Sequence, residues 1–163
     1  MELKATISSA TGAAGLIIAA SPNMKEYTTI IYEPSNNTIL VERLHSSTID
    51  EFNNVTVTGY FSPYTMASTG KPEAITMDIF LDGSLLEVYV NDRFALTTRI
   101  YPSMECSTGY GTYVAPGASA TFSSLQSWVG LASVWPDRPA NSSSELVWDT
   151  PEQTNNYTWW TGN

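Results

Sequence analysis

A chain of 163 residues with 42% hydrophobic and 12% aromatic content can bury one sizeable core, which excludes intrinsic disorder and fits a single domain of ordinary size. Only 14% of residues are charged and the formal net charge is -9, so a phosphate backbone is repelled and nucleic acid is excluded as a natural partner. The apolar run 13–20 is too short to cross a bilayer, so no membrane association is expected; no signal peptide is visible, and Met1 is read as the start of an excised fragment whose targeting signal lay elsewhere.

In chain order, strand-like runs occupy residues 16–20, 27–32, 39–44, 55–61, 75–81, 85–90, 94–100, 111–115 and 118–125. Between them lie turn clusters such as Pro34-Ser35-Asn36-Asn37 and Ser68-Thr69-Gly70-Lys71-Pro72. Short strands at this spacing, with no helical period and no internal repeat, predict an all-β fold: an antiparallel β-sandwich of jelly-roll or galectin-like type over residues 1–135. Residues 136–163 are Pro-, Ser- and Asn-rich and close on Trp148 and Tyr157-Thr158-Trp159-Trp160, which predicts an irregular aromatic tail packing on the sandwich or a partner. The alternative for that tail is a sugar-stacking platform, in which Trp159 and Trp160 would point to opposite sides of an extended chain.

The stretch 75–102 is the most informative. Asp82-Gly83 between two alternating apolar runs signals a two-residue hairpin loop, pairing Leu81 with Ser84, Ile79 with Leu86 and Met77 with Val88 on one face. Phe80 then faces Leu85, and Asp78 faces Glu87, on the other. A three-residue loop Asn91-Asp92-Arg93 keeps the apolar face continuous by pairing Val90 with Phe94, Val88 with Leu96 and Leu86 with Thr98. Such loops usually end in a left-handed residue, which puts Arg93 in that position.

The polar face of this meander carries Asp78, Glu87, Tyr89, Thr97 and Arg99. Two opposed carboxylates need neutralising, and Arg99, diagonal to Glu87, could do so structurally. The functional alternative is that the carboxylates and the guanidinium supply paired acceptors and donors to vicinal hydroxyls, as furanose recognition requires. Calcium at Asp78 and Glu87 is conceivable, but no loop of alternating acidic ligands accompanies them. His45, the sole histidine, has no partner at zinc-ligand spacing and reads as a solvent-facing turn residue, and no Gly-x-Ser-x-Gly elbow is present. No metal or cofactor is expected.

The segments Ile79-Phe80-Leu81-Asp82-Gly83-Ser84, Leu86-Glu87-Val88-Tyr89-Val90-Asn91-Asp92 and Leu96-Thr97-Thr98-Arg99-Ile100-Tyr101-Pro102 resemble the C-terminal β-sandwich of glycoside hydrolase family 32, the invertases, inulinases and levanases. Gly15-Leu16-Ile17-Ile18-Ala19-Ala20-Ser21-Pro22 and Ile39-Leu40-Val41-Glu42-Arg43 resemble its opening strands. The chain departs from the family pattern at Glu42-Arg43-Leu44, where Asp-Arg-Ser is usual, and at Asn91-Asp92-Arg93, where Asn-Asp-Gly is usual; the second implies local strain at Arg93. Carbohydrate-binding module family 66, which binds fructosides, resembles the same sandwiches and lends Glu87, Asp82 and Arg43 weight as ligand residues. Each also has a structural reading: Asp82 as the first turn residue, Arg43 as a surface partner of Glu42 or Asp50.

The resemblance implies a non-catalytic domain, because in that family catalysis belongs to a propeller with Asn-Asp-Pro-type and Glu-Cys motifs. Neither Asn-Asp-Pro nor Arg-Asp-Pro occurs here, and Glu105-Cys106 follows a strand end inside the sandwich, without the second carboxylate a glycosidase needs opposite it. The expected partners are β-fructosides or fructan such as levan and inulin, and a family 32 propeller if the chain is part of a larger one; the alternative is a purely structural domain that packs on that propeller or dimerises. Sequons at Asn36, Asn54, Asn141 and Asn156 suggest a secreted, fungal-type glycoprotein. Cys106 is the lone cysteine, and Tyr101 and Tyr110 on either side predict that it is buried.

Overall fold

The computed structural model describes residues 1–53 and 55–130. Alternation of apolar and polar residues builds ten strands among them: β1 (Glu2–Ala10), β2 (Ala14–Ala20), β3 (Thr28–Glu33), β4 (Thr38–Glu42), β5 (Val57–Tyr60), β6 (Ile75–Asp82), β7 (Leu85–Val90), β8 (Phe94–Arg99), β9 (Gly109–Val114) and β10 (Ala120–Trp128). They pair antiparallel into two five-stranded sheets, ordered β10-β1-β6-β7-β8 and β5-β4-β3-β2-β9, so the predicted all-β sandwich is what the chain forms. Among the described residues the helical content is one 3₁₀ turn, Asp50–Phe52. The compact unit holding the sandwich is Met1–Val129. The tail with Trp148, Trp159 and Trp160, and the sequons Asn54, Asn141 and Asn156, lie outside the described residues; Asn36 is exposed in the β3–β4 turn.

The inward face of the first sheet contributes Leu3, Ala5, Ile7, Met77, Ile79, Leu86, Val88 and Val90, and the second contributes Ala14, Leu16, Ile18, Ile30, Tyr32, Ile39 and Val41. All are buried, and each large side chain is stabilising by about 1.5–3 kcal/mol relative to exposure. The predicted runs omit β1. Its alternation is present, but Ala5 and the serines around Ser8 dilute the apolar signal.

The β6–β7 hairpin differs from expectation by two residues. Leu81 pairs with Leu86, Ile79 with Val88 and Asp78 with Tyr89. The loop is Gly83-Ser84, with Gly83 at φ 55, the pattern of a turn that needs a glycine at its first central position. An even shift keeps every side chain on its face, so the core is as expected while the cross-strand neighbours change. The β7–β8 register is as expected, Val88 facing Leu96. Its strain is not at Arg93: Asn91 (φ 49) and Asp92 (φ 55) take the left-handed positions, which asparagine and aspartate tolerate best among residues with a Cβ. Arg93 is free to turn its guanidinium onto the rings of Tyr64 (4.0 Å) and Phe61 (4.7 Å) and to pair with Glu73.

Arg43 ties the two sheets together at one edge. Its guanidinium donates to the carbonyls of Arg99, at the end of β8, and Val55, just before β5, at 3.1 and 2.9 Å.

Candidate functional site

The outer face of the first sheet is laid out in rows by strand register: Lys4-Asp78-Tyr89-Ala95, then Glu2-Phe80-Glu87-Thr97, then Asp82-Leu85-Arg99. Phe80 and Tyr89 meet edge to face at 6.0 Å, and Tyr89 is 38% exposed, so an aromatic surface stands open among polar groups. Lys4 Nζ donates to Asp78 Oδ2 at 3.0 Å, and this hydrogen bond, with the charge of Asp78, raises the lysine above its ordinary pKa. The other carboxylate oxygen, Oδ1, is buried without a partner. Asp78, Phe80 and Tyr89 share a shallow hollow of about 510 Å³ with Asp92 and Arg93.

Six residues were candidates from sequence, and the structure places five of them on this face. Asp78, Tyr89 and Glu87 lie on this face in adjacent rows. The expected opposition of Asp78 and Glu87 does not occur, because the two-residue shift places Tyr89 opposite Asp78 and Phe80 opposite Glu87. The carboxylates are diagonal and Asp78 is paired with Lys4, which removes the calcium reading; no group of three potential metal ligands exists among the described residues. Asp82 and Arg99 occupy the row at the turn, where Arg99 donates to Ser84 Oγ at 2.7 Å instead of balancing the carboxylates. Arg43 belongs to the opposite sheet and is spent on backbone carbonyls, with its Nε sealed; it pairs with neither Glu42 nor Asp50. It is a structural staple, not part of this face.

Cys106 is exposed, against expectation. The two tyrosines turn elsewhere, Tyr101 to Phe52 at 5.4 Å and Tyr110 to Ser127 Oγ at 2.6 Å, leaving the thiol at the rim of a hollow with Met24 and Pro22. Glu105 is exposed beside it. His45 is an exposed turn residue with its ring 5.3 Å from that of Tyr27.

Sequence reasoning missed Glu26. This carboxylate has no exposure, yet it accepts hydrogen bonds from the amides of Thr48 (3.0 Å), Ser103 (3.0 Å) and Met104 (2.7 Å) and from the hydroxyls of Ser103 and Ser107. Burial alone pushes its pKa up, but the donors from Ser107, Met104 and Ser103 together outweigh burial and leave the carboxyl below its ordinary range. Its donors are 22 to 81 positions away in the chain, so no local motif announces it.

The family model described as "Glycosyl hydrolases family 32 C terminal" matches residues 1–129, so the chain belongs to this family of C-terminal β-sandwich domains, accessory to the catalytic module. The chain is similar to an Aspergillus kawachii β-fructofuranosidase complexed with glycerol, with 31% identity over 84% of this chain and 24% of that one, TM-score 0.73. It is also similar to a fructosyltransferase from A. japonicus, with 26% identity over 84% of this chain and 23% of that one, TM-score 0.71. A carbohydrate-binding module, CBM66 from Bacillus subtilis, shares the fold at 14% identity over 76% of this chain and 71% of that one, TM-score 0.54. This chain therefore spans about a quarter of the length of that β-fructofuranosidase. Among curated protein sequences no match is found.

Proposed function

We propose that this domain is the non-catalytic accessory module of a secreted fructan- or sucrose-hydrolysing enzyme, and that the outer face of its first sheet binds β-fructosides. The observation that carries the reading is the exposed Tyr89 ring against the half-buried Phe80, flanked by the Asp78–Lys4 pair and by Glu87, whose carboxylate has no ion-pair partner among the described residues. Aromatic faces pack against the apolar faces of sugar rings, while the carboxylates and the ammonium offer acceptors and donors to ring hydroxyls. The face is shallow, so dissociation constants for inulin, levan and fructose between high micromolar and millimolar are expected, about 4–6 kcal/mol of binding free energy.

Isothermal titration tests this with one variant. Glu87→Gln keeps the shape and removes the charge, so folding is unchanged while affinity falls by roughly 1–3 kcal/mol through loss of charge-assisted hydrogen bonds. Flat traces at high ligand would remove the proposal, and unchanged affinity in the variant would exclude Glu87. The competing reading is assembly with a family 32 catalytic unit, favoured by apolar side chains left open on β9 and β10, Tyr110, Leu125 and Trp128. Light scattering that shows a clean monomer at high concentration counts against dimerisation through them.

A further inference from the structure

At the end of the sandwich where β1 and β3 finish and β6 begins, a second hollow of about 250 Å³ lies apart from the outer face. Ile7–Ala10 form one wall, where β1 changes register against β10 in a bulge, a feature that re-aims side chains. Pro34, Pro63 and Pro72 form another, giving rigid apolar surface that loses little freedom when a ligand arrives. Tyr32 lines the hollow with only 6% exposure, its ring held edge-on to Phe61 at 6.2 Å. Its hydroxyl has no hydrogen-bond partner among the described residues, and it is not one of the fully enclosed unpaired side-chain atoms, which are Thr28 Oγ1, Arg43 Nε and Asp78 Oδ1. With the ring almost wholly buried and the hydroxyl still open, Tyr32 can give a ligand hydroxyl the hydrogen bond it otherwise makes with water.

The charges decide the ligand's class. Burial, and then the charge of Glu33, push the Tyr32 phenol up, so it remains a protonated donor at neutral pH. The Lys71 ammonium at the mouth has no ion-pair partner among the described residues. Glu73 is neutralised by its pairing with Arg93, and Glu33, whose charge reaches Tyr32, offsets Lys71, so the hollow carries no net charge and suits a neutral ligand. The volume falls below the roughly 300–1,000 Å³ of drug-sized ligand sites, which limits the occupant to about one ring. We propose that this hollow is a second binding site, for a neutral polyhydroxylated ring of monosaccharide size, with Tyr32 as its buried hydrogen-bonding anchor and Lys71 as the donor at its mouth.

Titrating the ¹⁵N-labelled chain with D-fructose, sucrose and gluconate while following amide shifts tests this independently of the outer face. Saturable shifts at Ser9, Ala10, Lys71 and Glu73 are expected with the neutral sugars and not with gluconate. Tyr32→Phe, which removes one oxygen, should weaken that saturation about tenfold, and Lys71→Ala, an exposed change, by a few-fold, while Glu87→Gln leaves it unchanged. Absence of saturable shifts in this group, a response to gluconate alone, or sugar shifts that survive both variants would each overturn the proposal. Loss of shifts around Tyr89 with those around Ser9 retained would instead remove only the outer-face reading.

Discussion

A carboxylate removed from water must find donors inside the protein, and Glu26 finds them on the segments around Thr48 and around Ser103 to Ser107. Its folded-state pKa lies below the ordinary 4.5, so its contribution to stability is fully present above the unfolded value and is lost as pH falls through the folded one. The thermal midpoint of the native chain should hold steady from neutral pH down to about 5 and then drop. Glu26→Gln places an amide NH₂ against donors and should cost about 2–3 kcal/mol at pH 7, with a smaller difference from wild type below pH 4. Denaturation of both proteins across this range checks the sign, and a gap that widens in acid would refute it. Sequence could not expose this residue, since Met24-Lys25-Glu26 reads as an ordinary charged turn. Asp78 and Tyr89 were legible as outward-facing because alternation assigns faces.

At the scale of strands, alternation reports parity and nothing finer. It placed Ile79, Val88 and Leu96 on the core face correctly, and it could not tell whether Ile79 meets Leu86 or Val88, since both lie on that face. The core was therefore readable and the pairing within the site was not. The chemistry of the turn held the missing information: with Gly83 at the first loop position only one positive φ is required, and Asp82 returns to the strand. Two glycine substitutions separate backbone from packing effects. Gly83→Ala meets no atom within 4 Å, so only the left-handed backbone opposes it, and a loss of about 1 kcal/mol is expected. Gly15→Ala would set a Cβ 1.9 Å from the Ile30 carbonyl oxygen, where β2 and β3 pair, so the strands must part and the chain should lose more than about 3 kcal/mol or fail to fold. Chemical denaturation of the two variants ranks them, and equal losses would contradict the close approach at Gly15.

For the whole molecule, the two-sheet architecture accounts for the core, and the family model places residues 1–129 in the accessory domain and not in the catalytic module. The purified chain should release no fructose from sucrose, inulin or levan over prolonged incubation. Sustained turnover that Glu105→Gln abolishes would overturn the non-catalytic reading. The sandwich also has a built-in order of opening. Because one carboxylate holds the amides of Thr48, Ser103 and Met104, the Thr48 proton and the two from a segment 55 positions on should open to deuterium together, with exchange at all three climbing as acid neutralises Glu26.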